Sequence, residues 1–379
     1  MTELTQEQIE ARKKEVADAK EKHNELLESN RKLVNEFGAG LIKDIIDQCP
    51  NFYTFQRGLI YSHRDFDQFM QAIKQRKKVA IVSGVNASGK LHLGHKIVFD
   101  TNLYFQREYE IPVFIPISDD ESYVTGKVKD QEEALKNSMV LARELLAYGF
   151  DPKRTFFIID QIFTNVYNFA IKLSRGTTLS ALRSVYGYKM EDNCGLYFYP
   201  AVQSAHILLP QLKEHGDHDH VLVPIGPDED AHIRIGRDLA PKFGLVKPAI
   251  LHGLFNPNMK GAKMSKSKDP EGTIFLEDDP KTARSKIMKA KTGGRETADI
   301  QKKYGADFDI CMVYKLLETY YLNKEEILDL QRSCKGGQIL CGECKNRLAC
   351  HVEEDLKDFQ ARLATVKDET IQHCILRNV

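Results

Sequence analysis

The chain has 379 residues, with 54 Lys and Arg against 54 Asp and Glu, so its formal net charge is zero. This length is enough for a catalytic domain and at least one further module. The charge balance excludes a polybasic protein that holds nucleic acid by charge alone. No stretch reaches the ~18 apolar residues of a membrane span, and the start, MTELTQEQIEARKKE, lacks the apolar region of a signal peptide. We therefore expect a cytoplasmic protein without membrane contact.

The predicted elements begin with a helical extension over residues 1–50, which start with a segment rich in Glu, Lys, Gln and Ala. KKVAIVSG then predicts a buried strand and a glycine turn, and KIVFDTNLYFQRE predicts a helix. The apolar runs Val113–Ser118 and His220–Gly226 predict two further buried strands, each followed by acidic residues. Helical patterns cover Asp130–Tyr148 and Phe163–Tyr186.

Strands that alternate with helices predict an α/β fold with a Rossmann-type, doubly wound parallel sheet. We expect this catalytic domain at residues 51–292, with a helical insertion at about 125–220. The strand signal fades near Gly293, so residues 293–379 are predicted to form an all-helical domain.

The turn after the first buried strand reads SGVNASGKLHLGHK. It places His92 and His95 at the start of a predicted helix, where backbone N–H groups and the helix dipole suit a phosphate. Gly94 would let a flat ring approach the backbone closely. Paired histidines at a helix start also occur as ordinary caps, so the interpretation depends on a second motif.

That second motif is the segment Gly261–Lys268, which reads GAKMSKSK. Lys263 and Lys266 place two mobile ammonium groups on a short loop, and Ser265 adds a hydroxyl donor. Such a loop can close over a triphosphate and neutralise charge as pyrophosphate leaves. A solvated surface turn is the alternative, but it does not explain why KMSKS occurs downstream of His-Leu-Gly-His on an α/β pattern.

The two motifs together resemble the signatures of the class I aminoacyl-tRNA synthetases. The resemblance implies that an amino acid carboxylate attacks the α-phosphorus of Mg·ATP, and that the aminoacyl group then passes to the 3′ end of a tRNA. It implies that His92 and His95 stabilise the transition state, with Lys263 and Lys266 on the pyrophosphate. The residues that it places at ATP are Gly84, His92, Gly94, His95, Asp228, Lys263, Met264, Ser265 and Lys266.

Further segments resemble the archaeal and eukaryotic tryptophanyl-tRNA synthetases: RGLIYSHRD, ISDDESY, YPAVQSAH, IRIGRDLAPKFG, TGGRET and GEC. The resemblance implies the substrates L-tryptophan and tRNA(Trp), an anticodon-binding role for the helical domain at residues 293–379, and a homodimer formed through the insertion. The chain has no room for a large editing domain, which a large aromatic substrate does not require. The tyrosine enzymes share both signatures and are the alternative. A further alternative is a paralogue that binds tRNA or a regulatory partner without aminoacylating.

Matching positions imply the roles of the pocket residues. Gln203 and Glu121 would face the ammonium and carboxylate ends of the amino acid. Asp228 lies in VPIGPDEDAH, which is similar to an element whose Asp holds the ATP ribose, and Glu229 stands where the family has Gln.

The indole N–H lacks its usual partners in this sequence. Val82 and Pro116 occupy the positions of the expected Tyr and Gln, which is the best support for a paralogue without activity. YPAVQSAHIL also resembles the bacterial tryptophan segment, in which an Asp reads the indole nitrogen, and His206 stands at that place. We predict that neutral His206 accepts the indole N–H. The alternative is a buried helix histidine satisfied by a carbonyl group.

Four of the eight cysteines are predicted metal ligands. Cys311, Cys334, Cys341 and Cys344 are separated by 22, 6 and 2 residues. Four thiolates suit zinc or an iron–sulfur cluster. The spacing resembles that of some tryptophanyl-tRNA synthetases that bind a four-iron four-sulfur cluster, so we expect this cluster, with zinc as the alternative and free thiols as the third possibility.

Overall fold

The computed structural model describes Glu28, residues 33–264 and residues 269–378. Most of the predicted N-terminal extension lies outside the described residues, as do Ser265 and Lys266 of the KMSKS segment. The chain divides into two compact units, which we call the sheet unit and the helical unit. The described residues of the sheet unit lie within Lys32–Lys90, Lys96–Leu254 and Arg362–Val379, and those of the helical unit within Met1–Arg31, Leu91–His95 and Phe255–Ala361.

An eight-stranded sheet forms the centre of the sheet unit. Its strands are β1 Gly40–Leu41, β2 Ile60–Arg64, β3 Val79–Val82, β4 Val85–Asn86, β5 Val113–Ser118, β6 Thr155–Ile159, β7 His220–Ile225 and β8 Ala249–Gly253. The order across the sheet is β1-β2-β8-β7-β3-β5-β4, and β6 pairs with β5. β3 pairs in parallel with both β5 and β7, whereas β1 and β2 join by antiparallel pairing. The predicted α/β fold of Rossmann type is confirmed.

The strand order reverses at β3, because β5 follows on one side of it and β7 on the other. In such sheets the crevice at the carboxyl ends of the strands is the usual ligand site. The predicted strands at KKVAIVSG, Val113–Ser118 and His220–Gly226 are confirmed as β3, β5 and β7. These are the strands that deliver the candidate pocket residues.

Helices flank the sheet and agree with most of the predicted helical patterns. The helices of the sheet unit are Tyr53–Gln56, Phe66–Lys74, Lys96–Glu108, Asp119–Val124, Gln131–Tyr148, Asn165–Ser174, Leu179–Tyr186, Cys194–Leu208, Asp230–Leu239 and Asp368–Cys374. The helical pattern predicted for Phe163–Tyr186 forms two helices, Asn165–Ser174 and Leu179–Tyr186. Thr178 caps the second of them, because its hydroxyl accepts the amide of Ala181 at 3.2 Å.

In two regions that were predicted to be helical, the structure has a strand. β1 lies within the predicted N-terminal extension, where Gly40 faces His63: a Cβ at Gly40 would lie 2.7 Å from the imidazole Nε2. β6 lies within the predicted helical insertion. Its apolar run is short, and such runs do not distinguish a buried strand from a helix. Ile375 forms a parallel bridge to Phe157, so the end of the chain pairs with β6.

The helix Cys194–Leu208 contributes to the main hydrophobic core of the sheet unit. Its buried residues Val202 and Ala205 belong to one cluster with Val82 on β3 and Phe114 on β5. This packing fixes the rotation of the helix against the sheet. The positions of Gln203 and His206 on the same helix are thereby set.

The helical unit consists of helices and loops around the two signature motifs. Its helices are Pro280–Met288, Ala298–Tyr304, Met312–Leu316, a π-helix at Leu317–Tyr321, Lys324–Lys335 and Cys341–Leu363, the last of which ends in the sheet unit. The prediction of helices after Gly293 is confirmed for the described residues. Within the described part of the chain, no helix is long and apolar enough to cross a membrane.

Candidate active site

The His-Leu-Gly-His segment is held in the helical unit by backbone pairing. Leu93 donates its amide to the carbonyl oxygen of Ile274 at 3.1 Å, and Leu276 donates to Leu91 at 3.0 Å. Leu93–His95 then forms a single 3₁₀ turn. The segment therefore has little freedom to move its two imidazoles.

Gly94 orients the ring of His92. The amide of Gly94 donates to Nδ1 of His92 at 3.1 Å, which makes Nδ1 the acceptor and leaves the proton on Nε2. A Cβ at Gly94 would lie 2.7 Å from the His92 ring. We expected Gly94 to admit a flat ring, and the ring found against it is that of His92. His95 stacks on His92 with ring centroids 4.0 Å apart.

The KMSKS segment begins at the end of a tight hairpin. Asn258 donates its amide to Ala262 at 2.6 Å, and Met264 donates to Asn256 at 3.2 Å. Lys263 places its ammonium group 4.4 Å from the ring centroid of Phe255. A Cβ at Gly94 would lie 3.1 Å from the Cβ of Met264. The structure thus brings the two motifs together within the helical unit.

The candidate residues for the amino acid lie in the sheet unit. Glu121 accepts a hydrogen bond from the Asn86 amide at 2.6 Å and from the Lys127 ammonium at 2.9 Å. Gln203 accepts from the hydroxyl of Tyr186 at 2.9 Å. Both polar side chains are held in defined orientations, as recognition of a zwitterion requires.

The candidate ribose residues follow strands at the same edge of the sheet. Asp228 is exposed in the turn Pro227–Glu229, directly after β7. Glu229 places a carboxylate oxygen 3.2 Å from Nδ1 of His232. Gly84 lies between β3 and β4. The sequence predicted these positions correctly as loops at the carboxyl ends of strands.

His206 is buried, and its Nε2 lies 2.7 Å from Oδ1 of Asp160. The partner is a carboxyl group rather than the carbonyl group of the alternative interpretation. Burial lowers the pKa of His206, so the imidazole is neutral. Asp160 comes directly after β6, as Asp119 and Asp120 come after β5.

These three acids form a cluster. One carboxylate oxygen from each of Asp119, Asp120 and Asp160 lies within 4.8 Å of the others. Both carboxylate oxygens of Asp119 have hydrogen-bond partners, because they accept the backbone amides of Asp160 and Gln161 at 2.8 and 3.2 Å. Burial and the adjacent Asp160 raise the pKa of Asp120 to about 9, and burial raises the pKa of Asp160 as well. Both carboxyl groups therefore favour the protonated, neutral form.

The contact with Asp160 limits the tautomer of His206. Oδ2 of Asp160 is buried and has no hydrogen-bond partner among the described residues, whereas Oδ1 lies 2.7 Å from Nε2 of His206. When Nε2 donates its hydrogen to Oδ1, the lone pair of the imidazole lies on Nδ1.

Sequence reasoning missed several residues of the site. Asp160 carried a usable signal, because FFIID repeats the pattern of an apolar run that ends in an acid. Asn86 and Tyr186 carried none, since no spacing relates them to their partners Glu121 and Gln203. Such contacts between distant positions exist only after folding.

The four predicted cysteine ligands line one cavity of the helical unit, together with Gly293, Gln301 and Tyr314. Cys341 and Cys344 lie in the first turn of the helix Cys341–Leu363. Cys311 accepts the amide of Tyr314 at 3.4 Å. Burial raises the pKa of Cys344 to about 12 and that of Cys334 to about 11, and the neighbouring thiols add to both shifts.

Comparison with known proteins identifies the family. The family model for tRNA synthetases class I (W and Y) matches residues 74–357. The chain belongs to this family. As a class I aminoacyl-tRNA synthetase, it uses ATP with Mg²⁺.

The synthetases most similar to this one include several archaeal proteins. The chain is 37% identical to the tryptophan–tRNA ligase of Methanocaldococcus jannaschii, over 90% of this chain and 94% of that protein. The tryptophan–tRNA ligase of Aeropyrum pernix is 36% identical over 84% of this chain and 86% of its own length.

Solved structures agree with this family. The crystal structure of tryptophanyl-tRNA synthetase from Aeropyrum pernix matches with a TM-score of 0.85 at 32% identity, over 92% of this chain and 96% of that one. The enzyme from Encephalitozoon cuniculi, solved bound to tryptophan, matches with a TM-score of 0.82 at 27% identity, over 92% and 97% of the two chains.

Proposed function

We propose that this synthetase activates L-tryptophan with ATP and transfers it to tRNA(Trp). The observation that carries the proposal is the relation to tryptophan–tRNA ligases over about nine-tenths of both chains. The joint position of the His-Leu-Gly-His turn and the KMSKS hairpin in one unit supports the chemistry.

The phosphate motifs act by positioning and electrostatics. The tryptophan carboxylate attacks the α-phosphorus, the bond to the bridging oxygen breaks, and pyrophosphate leaves with the electron pair. His92 offers Nε2–H to the phosphate because its Nδ1 is occupied by the Gly94 amide. Lys263 and Lys266 neutralise the pyrophosphate, and Mg²⁺ on ATP shares this charge.

The amino acid and the ribose are bound by residues at the carboxyl ends of the strands. Gln203 and Glu121 bind the ammonium and carboxylate ends of tryptophan, and the hydrogen bonds from Tyr186 and Asn86 hold them in place. Asp228 holds the ribose of ATP beside Gly84, and Glu229 serves the amino acid end.

His206 reads the indole nitrogen in place of the usual Tyr and Gln. Its neutral ring supports this role, because donation from Nε2 to Asp160, 2.7 Å away, would leave Nδ1 as an acceptor. The same position is an Asp in the bacterial segment that this helix resembles.

Pyrophosphate exchange with ATP, measured for each of the twenty amino acids, tests the proposed function. We expect exchange that depends on tryptophan, followed by charging of tRNA(Trp). Exchange with tyrosine alone would show that the substrate is tyrosine and not tryptophan. The absence of any exchange would favour the paralogue without activity, whose specific support is that Val82 and Pro116, at the usual reader positions, are buried and apolar.

We also propose that the cysteine cavity holds a four-iron four-sulfur cluster. The donor set fits, because the four thiol side chains line one cavity and four cysteine thiolates are the usual ligands of such a cluster. Tetrahedral zinc would bring the sulfurs to about 3.8 Å from each other. The cluster is preferred to zinc here because the cysteine spacing resembles that of synthetases that bind a four-iron four-sulfur cluster.

Anaerobic purification with iron, sulfide and zinc analysis tests the cluster. We expect iron and sulfide with visible absorption, lost in Cys341→Ser and retained in Cys194→Ser, since Cys194 is exposed and lies outside the cavity. One zinc ion per chain would establish the alternative metal. A colourless protein without metal would contradict both.

The remaining predictions concern organisation. We propose a catalytic domain at residues 51–292, an anticodon-binding domain at residues 293–379, a cytoplasmic location and a homodimer formed through the insertion.

The exposure of Ile171 (62%) and Leu179 (48%) supports the dimer. Analytical ultracentrifugation should give a dimer that Ile171→Glu dissociates and the control Val246→Glu does not. A monomeric wild type would contradict it.

A further inference from the structure

Asn256 lies beneath the His-Leu-Gly-His turn in the helical unit, and its side chain is buried. The side-chain amide donates to the Tyr320 hydroxyl and reaches the carbonyl oxygens of Leu93 at 3.4 Å and Gly94 at 3.5 Å. Tyr320 in turn donates to the Leu93 carbonyl at 3.4 Å. Two polar side chains thus hold the turn from its carbonyl side.

These contacts fix the opposite side of the turn as well. The peptide unit is planar, so the carbonyl of Leu93 and the N–H of Gly94 point in opposite directions from one rigid group. Holding the Leu93 carbonyl therefore aims the Gly94 N–H. That N–H is the donor to Nδ1 of His92 at 3.1 Å, which places the proton of the imidazole on Nε2.

The backbone of Asn256 contacts the second motif. Its carbonyl oxygen accepts the amide of Met264 at 3.2 Å, and Met264 packs near Gly94, 3.1 Å from the position that a Cβ would take there. One residue therefore touches both the His-Leu-Gly-His turn and the start of KMSKS. Its side chain and its backbone serve different motifs.

We propose that Asn256 is a positioning residue for the activation step. Its amide orients the Leu93–Gly94 peptide, and this peptide selects the tautomer of His92 that donates from Nε2 to the phosphate. Asn256 contacts no substrate in this account. The inference deepens the proposed function and rests on it for the identity of the phosphate.

The isosteric variant Asn256→Asp tests the inference, because an ionised carboxylate repels the two carbonyl oxygens that the amide holds. We expect kcat for pyrophosphate exchange to fall about 10- to 100-fold, with the KM for tryptophan unchanged. A protonated carboxyl group can donate a hydrogen bond again. The deficit in kcat relative to wild type should therefore be smaller at about pH 6 than at about pH 8.5.

Two further variants separate positioning from loss of structure. Asn323→Asp makes the same chemical change at an exposed helix cap, where Asp serves equally well, so its kcat should equal that of wild type. Tyr320→Phe removes the hydroxyl group that bonds Asn256 and the Leu93 carbonyl. Its kcat should fall in the same direction, but without the pH-dependent recovery.

Nitrogen NMR of ¹⁵N-histidine-labelled protein reads the His92 tautomer without any activity. Wild type should show an unprotonated Nδ1 at His92, and Asn256→Asp at pH 8.5 should lose this signature. A His92 tautomer unchanged in Asn256→Asp, or a kcat deficit independent of pH, would overturn the inference. Absence of exchange in wild type would instead refute the proposed function, and the NMR comparison would still decide the role of Asn256.

Discussion

At the scale of single residues, His206 shows how one side chain depends on its neighbours for a chemical role. An imidazole accepts or donates according to its tautomer. Here the Asp160 carboxyl contacts Nε2 at 2.7 Å. When Nε2 donates its hydrogen to that carboxyl, the lone pair of His206 lies on Nδ1.

Replacement of this imidazole tests the recognition of the indole. His206→Ala should raise the KM for tryptophan about 5- to 100-fold, because an unpaired polar group at a bound ligand costs about 1–3 kcal/mol. The KM for ATP should not change. Steady-state pyrophosphate exchange measures both, with His373→Ala on the exposed face of the last helix as the control. An unchanged KM for tryptophan would eliminate His206 as the reader.

The Lys263 ammonium group is predicted to stabilise the leaving pyrophosphate. Lys263→Ala should lower the rate of adenylate formation about 100-fold, since one electrostatic contact in the transition state contributes about 3 kcal/mol. Rapid quench of a single turnover measures this step. Lys302→Ala, at an exposed position of the helix Ala298–Tyr304, is the matched control. Equal rates in the two variants would remove Lys263 from the mechanism.

At the scale of elements, helix ends determine where the cysteines lie. The helix Lys324–Lys335 begins with a capping box, in which Asn323 accepts the amide of Glu326 and the Glu326 side chain accepts the amide of Asn323. Cys334 is one turn or less from the other end of this helix. The cap therefore stabilises the helix that carries this cavity thiol.

Loss of this cap should lower the stability of the folded protein by a measurable amount. Asn323→Ala should lower the free energy of unfolding by about 1 kcal/mol, because two backbone donors lose their acceptor, whereas Asn323→Asp should have little effect. Urea denaturation followed by circular dichroism compares the two. A destabilisation as large in Asn323→Asp as in Asn323→Ala would show that capping is not the cause.

At the scale of the whole molecule, buried acids couple stability to pH. The pKa of Asp120 rises from 3.8 to about 9 on folding, so the folded protein holds a proton that the unfolded chain releases. This contribution to stability is complete below pH 3.8 and is lost as the pH rises through about 9. Asp230 acts in the opposite sense, because its bonds to His252 and Arg64 hold its pKa below the ordinary value.

Asp120→Asn mimics the protonated acid and tests the sign of this coupling. Asn keeps the oxygen that accepts the Glu121 amide at 2.7 Å and supplies an N–H to Asp160. Its melting temperature should exceed that of wild type near pH 8.5 and approach it near pH 5, because the titration is removed. Differential scanning at several pH values measures the difference. A gap that widens towards low pH would contradict the raised pKa of Asp120.

The sequence by itself determined the chemistry of activation. Both phosphate motifs are local, so His92 and Lys263 were predicted from short segments, and β3, β5 and β7 were predicted because buried parallel strands form continuous apolar runs. β6 was missed because a short apolar run fits helix and strand equally. Motifs and apolar runs of this kind lie within short stretches of sequence, so they can be recognised without knowledge of the fold.

Only the tertiary structure decided the partners of the candidate residues. Asp160 is 46 residues from His206, Asn256 is 163 residues from Leu93, and Tyr186 binds Gln203 from a neighbouring helix. These hydrogen bonds depend on packing between elements, which no spacing in the chain encodes directly. The tautomers of His92 and His206, on which the proposed recognition depends, follow from those partners and not from the residues alone.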